Sequence, residues 1–201
     1  MATVHAISAT CQAVRHVLDS AARADNLGLD VQVRVYGPPD FRGDTNNSLT
    51  TGVSIFLYRV LPNLTHRTPA GRLEPNGARH RTQLPLDLHL LLTAWATQPD
   101  TENMLVAWMM RTLENYPTLP ASVLNIGRAG TFRPDEAVEL VISEIPGEEV
   151  LHLWEVLGER IYHISIPYVA KAVFIESELL EPQFAPVQIR TLQAGVFDGV
   201  R

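Results

Sequence analysis

Apolar and polar positions alternate along this chain with two periods, and the switches between them outline an α/β domain. Val4, Ile7, Cys11, Val14 and Leu18 recur at spacings of three and four, with His5, Ser8, Gln12, Arg15, Asp19 and Arg23 opposite them. That spacing predicts an amphipathic helix from about Thr3 to Ala24, capped by Thr3 and ended by Asn26 or Gly28. Val31, Val33 and Val35 alternate with Gln32 and Arg34, which predicts a half-buried strand. Residues 36–52 are dense in Pro, Gly, Asn and Asp and read as a long loop. Residues 53–61, VSIFLYRVL, are apolar on both faces until Arg59 and predict a central strand. A second polar insertion follows at 62–83. Its Pro69, Gly71, Pro75 and Gly77 predict a hairpin-like arm or a flexible loop.

Five leucines, at 84, 86, 88, 90 and 92, then share one face at period two, with Pro85, Asp87, His89, Leu91 and Thr93 on the other. Leucine also forms helices well, but strict alternation favours a strand. Asp100 or Thr101 can cap the following helix, whose stripe is Leu105, Trp108, Met109, Thr112, Leu113 and Tyr116; Pro117 and Pro120 stop it. Residues 138–145 read as a strand that Pro146-Gly147 breaks. Val150, Leu153, Trp154 and Leu157 mark a short helix, with Glu148 and Glu149 at its positive end. Residues 161–175 predict one long strand or two, with Pro167 at an edge or bulge. The tail from about 178 to 201 carries scattered apolar residues, among them Leu179, Leu180, Phe184, Val187, Ile189, Leu192 and Val196. It is expected to dock on the core or on a neighbouring subunit. There is no internal repeat.

A length of 201 residues suits one domain with a sizeable core. Hydrophobic residues at 46% and charged residues at 19% place the chain among globular proteins. A net charge of −6 argues against a nucleic-acid partner. Cys11 is the single cysteine, so no intrachain disulfide framework exists and synthesis in a reducing cytosol is expected. Its place on the apolar helix face predicts a buried, inert thiol. The first residues lack the pattern of a secretory signal. No run approaches the roughly 18 apolar residues of a membrane span, so no membrane insertion is expected.

The chemistry-bearing residues form no recognised catalytic motif. There is no G-x-S-x-G elbow, phosphate loop or dinucleotide fingerprint. No cofactor or metal site is expected. Asp87 and His89 share a strand face and, with His163, would be the first suspects in a small cytosolic enzyme; surface or interface residues are the commoner outcome of such a pair. Arg42-Gly43-Asp44 matches an adhesion tripeptide, which chance explains in a loop rich in turn residues.

Charge changes the picture more. Fifteen of the sixteen basic residues are arginine, Lys171 being the exception. Arginine is enriched at protein interfaces, although codon bias in a GC-rich genome gives the same usage. Residues 59–81 hold Arg59, Arg67, Arg72, Arg79 and Arg81 against one acid, Glu74. Residues 133–159 hold eight acids, Glu148 and Glu149 among them, against Arg133. Basic arm and acidic region are either two solvated faces or two halves of a head-to-tail contact between identical subunits. On the second reading Arg59, Arg67, Arg72, Arg79, Arg81, Glu148, Glu149, Phe184, Val187 and Ile189 are the candidate interface with other subunits, tube or sheath.

Four segments in order carry a family pattern. They are SIFLYRVLPNLTHR, LPLDLHLLLTAWA, MLVAWMMRTLENYPTLPA and the WEVLGERIYHISIPYVAKAVFI run from Trp154 to Ile175. Together they resemble the N-terminal domain of the cap proteins of extracellular contractile injection systems, over about residues 4–176. That family is similar to phage tail-terminator proteins. The resemblance implies an α/β (α+β) domain at 1–176, a mixed, mostly antiparallel sheet flanked by helices, with a C-terminal extension at 177–201. It implies a non-catalytic subunit of a six-fold ring that caps the inner tube protein and binds the last layer of sheath protein. Such a chain assembles in the cytoplasm and ends in the contractile particle. Some relatives carry a further C-terminal domain, whereas this sequence stops at Arg201. Another tube- or sheath-connecting component of the same particle is the alternative.

Overall fold

The computed structural model describes residues 4–42, 48–67, 71–74, 76–157 and 162–181. Five helices, α1 (Ala6–Ala24), α2 (Pro38–Phe41), α3 (Pro99–Asn115), α4 (Ala121–Leu124) and α5 (Gly147–Leu157), flank one sheet. Its strands are β1 (Gln32–Tyr36), β2 (Gly52–Pro62), β3 (Gln83–Trp95), β4 (Thr118–Pro120), β5 (Ala137–Ile142) and β6 (Ser165–Glu176). They lie in the order β1-β2-β3-β6-β5-β4. Among the described residues β1 and β2 run parallel and the other strand pairs are antiparallel.

β3 is the spine, and period two explains its position. Leu86, Leu88, Leu90, Leu92 and Ala94 face one core cluster, which takes in Val14 and Leu18 of α1 and Leu105, Met109 and Leu113 of α3. Leu91, on the other face, enters a second cluster with Tyr36, Phe41, Phe56, Val150, Trp154 and Leu157. Phe41 of α2 meets Phe56 edge-on with ring centroids 5.1 Å apart, and Trp154 of α5 at 5.7 Å. Edge-on contacts of this kind add to the burial term. A strand covered on both faces tolerates an apolar run where a half-exposed one does not.

Two irregularities shape the sheet. The β2–β3 register shifts around Tyr58. The β3–β6 register shifts around Asp87, where β6 contributes an extra residue and Ala172 takes φ of 54°. That is a bulge, and a non-glycine residue in the left-handed region needs local support. The Asp87 carboxylate supplies it, accepting from the Ala172 N–H at 3.0 Å and from Asn63 Nδ2 at 2.9 Å. Gly52 is dictated by close approach, since a Cβ there would lie 2.0 Å from the Gln32 carbonyl oxygen.

Several expectations change in detail. α1 begins at Ala6, so Val4 precedes it and is 73% exposed; Thr3 lies outside the described residues. α3 starts from Gln98 because Pro99 takes its first turn, and neither Asp100 nor Thr101 is the N-cap. Tyr116 sits at its C-cap and is exposed rather than part of the buried stripe. Leu84 is exposed at the end of the sheet, whereas Pro85, Leu91 and Thr93 on the supposedly open face are buried. The 36–52 loop contains α2, whose Phe41 is fully buried. Arg42 is described, but Gly43 and Asp44 are not. Pro167 lies in β6, an interior strand, at the point where pairing with β5 ends; its carbonyl accepts from Ser143 N–H, but it has no N–H to return the bond.

Candidate functional site

The three chemistry-bearing suspects are not brought together. Asp87 supports the Ala172 bulge. His89 lies across from Arg59 on β2 and against the Tyr58 ring at 5.9 Å. Burial, helped by the Arg59 charge, pushes its pKa below the usual histidine range. His163 stacks on Trp95 at 4.4 Å, with Nδ1 3.2 Å from Glu102. Ile164 is bonded to Ala94, so His163 stands about six residues along β3 from His89, roughly 20 Å away. Among the described residues no group of three or more His, Cys, Asp or Glu could hold a metal ion. Burial raises the Cys11 thiol to about 11 and makes it a poor nucleophile.

The arm is a hairpin, and it is joined to the start of the tail. Glu74 N–H donates to Ala78 O, His80 N–H to Arg72 O, Arg81 N–H to Leu179 O and Glu181 N–H to Arg79 O. Residues 72–74, 78–82 and 177–181 therefore form a three-stranded ribbon that prolongs the β3–β6 ladder. Gly71 makes the crossing possible, because a Cβ there would lie 2.0 Å from the His80 carbonyl oxygen. The first residues of the 177–181 stretch thus lie on their own chain.

The ribbon is fixed by a buried polar network. His80 is 4% exposed. Its Nδ1 lies 2.7 Å from the Ser177 carbonyl and its Nε2 3.1 Å from Glu74 Oε1. Both partners are acceptors, so both ring nitrogens must donate, which only the imidazolium can do. The Ser177 carbonyl, with the Glu74 and Glu176 carboxylates, accordingly raises the His80 pKa against the cost of burial. Beside it, Arg133 donates to Glu176 in a pair whose side chains are 11% and 0% exposed.

The segregated charges meet in part within one chain. Arg59 pairs with Glu149 at 3.2 Å and Arg72 with Asp135 at 3.8 Å. Both pairs are partly exposed and contribute roughly 0–1 kcal/mol each. Arg67, Arg79 and Arg81 are exposed and have no ion-pair partner among the described residues. Glu148 is exposed in the first turn of α5. Phe184, Val187 and Ile189 lie outside the described residues.

Composition patterns did not reveal the exposed leucines beside the free arginines. Leu73 pairs with Arg79, and Leu179 lies across from Arg81. Successive strand residues point to opposite faces, so Leu73, Arg79, Arg81 and Leu179 share one face while His80 points to the other. The alternation Arg79-His80-Arg81 was the available signal.

This six-stranded mixed sheet flanked by helices occurs in solved structures of contractile injection particles. The chain shares it with the sheath/tube terminator of the extracellular contractile injection system PVC in its extended state, at a TM-score of 0.59 and 20% identity over 94% of this chain. It shares it also with the tube-terminating cap of the anti-feeding prophage, at 0.54 and 19% over 90%. The chain spans 64% and 60% of those two proteins. No curated protein matches the sequence significantly. Residues 9–189 match the family described as the Pvc16 N-terminal domain, and the chain belongs to that family.

Proposed function

We propose that this chain is the structural cap of a phage-tail-like contractile injection particle. Copies of it form a ring, expected to be six-fold, that ends the inner tube and anchors the last layer of sheath. The observation that carries this reading is the family match across residues 9–189, joined to a terminator fold over nearly the whole chain. Its partners are further copies of itself, the tube protein and the sheath protein. The work is done by binding, not turnover. The two clusters fastening β3 on both faces support it, since a stopper must resist deformation. No helix among the described residues is long and apolar enough to cross a membrane. The chain would assemble in the cytoplasm and remain in the particle.

Deletion followed by electron microscopy tests this. Particles without the chain should show frayed or unstopped tube ends and a broad length distribution. Intact ends and wild-type lengths would refute the cap role.

A further inference from the structure

Two exposed faces among the described residues are chemical complements. On the ribbon, Leu73 and Leu179 are 57% and 60% exposed and flank Arg79 and Arg81. On α5, Val150, Trp154 and Leu157 are buried, and Glu149 turns to Arg59. Glu148, Leu151 and Glu155 recur at spacings of three and four and so share the opposite, outer face. Leu151 is 57% exposed and the Glu155 side chain 82%. One face is therefore leucine with arginine, the other leucine with glutamate. Of the basic groups nearby, the His152 ring lies 3.5 Å from Glu155, and Arg42 donates to the Leu157 carbonyl at the far end of α5.

One chain cannot bring these faces together. α5 begins where Glu149 meets Arg59, across from His89, and runs toward Trp95, whose ring lies 5.9 Å from Trp154. The ribbon lies beyond the other end of β3. His89 and Arg81 are eight residues apart on extended chain, roughly 25 Å. Two complementary faces at opposite ends of a rigid sheet are satisfied by a second copy, placed head to tail.

We infer that the Leu73–Arg79–Arg81–Leu179 face docks on the Glu148–Leu151–Glu155 face of the next copy. The inference deepens the cap reading and rests on it for the ring's closure. The contact is heterologous, so each copy uses both faces and the assembly grows until rotation closes it. Its apolar pairs supply burial, and its charges set register and exclude the reversed arrangement.

Two experiments on the full chain test it. Leu73→Cys with Leu151→Cys should give, on mild oxidation, a ladder of linked dimers, trimers and larger species, since the native Cys11 is buried. Neither single variant should pass dimer. In sedimentation, Arg79→Glu with Arg81→Glu, and separately Glu148→Arg with Glu155→Arg, should each weaken self-association at least about tenfold, and mixing the two should restore it. Charge variants that associate like wild type, or no ladder from an associating chain or from particles, would overturn the inference while leaving the cap role standing. Normal particle ends on deletion would remove the cap role and leave the ladder unaffected.

Discussion

The two ends of β3 are held by different physics. Its C-terminal half, Leu88 to Ala94, is covered on both faces by apolar clusters, and Leu88, Leu90, Leu91 and Leu92 are all 0% exposed. Beyond its N-terminal end the sheet thins into a ribbon, whose leucines are exposed and whose interior is His80, Glu74, Glu176 and Arg133. Apolar burial is non-directional and fixes a core. Hydrogen-bonded charge is directional, and fixes the pose of a thin element that has no core of its own. One end makes the domain; the other aims a surface.

The sharpest way to break this contrast is to remove one member of the ribbon's charge network. Glu176→Ala leaves the Arg133 guanidinium buried and unpaired, and should cost about 3–5 kcal/mol in chemical denaturation. A loss under 1 kcal/mol would mean that the ribbon end is not held by that pair. At the other end, Leu90→Ala opens a cavity in the larger cluster and should cost about 2–5 kcal/mol, with no recovery at any pH.

A subtler break is Gly71→Ala. The added methyl meets the His80 carbonyl, and the overpacking should cost about 1–3 kcal/mol. Hydrogen exchange should speed at His80 and Arg81 while Leu88 to Leu92 keep their protection. Uniform speeding along β3 would show that the two ends are one cooperative unit.

The pH response separates them further. The His80 pKa is raised on folding, so its stabilisation is fully present below the unfolded value near 6.5 and is lost as pH rises through the folded value. Amide exchange at Arg81, corrected for intrinsic rates, should therefore accelerate as pH climbs above about 6.5. His80→Gln should remove that dependence. The smallest effect belongs to Leu73→Ala, which is exposed and should change stability by less than about 0.5 kcal/mol. The same substitution should weaken self-association, dividing a binding face from a folding core.

This contrast also explains what the sequence made legible. α1, β3, α3 and α5 carry periodic stretches and β2 and β6 long apolar runs, and both patterns are records of burial. β4 has three residues between Pro117 and α4, too few to show any period. The arm announced its hairpin through Gly71 and Gly77, but its pairing with residues 177–181 joins positions about a hundred residues apart and leaves no local trace. His80 looked like any other histidine until its two acceptors were in place. Of the candidate interface, the arginines were visible as charge. Which of them the chain itself satisfies, Arg59 and Arg72, depended on the fold.

Imaging the ends of intact particles that carry a tagged copy of this chain tests the central claim most directly. The account predicts label at one end only, the end distal to the baseplate, as a closed ring on the last tube and sheath layer. Label at the baseplate end, along the length of the particle, or absent from it would contradict the account.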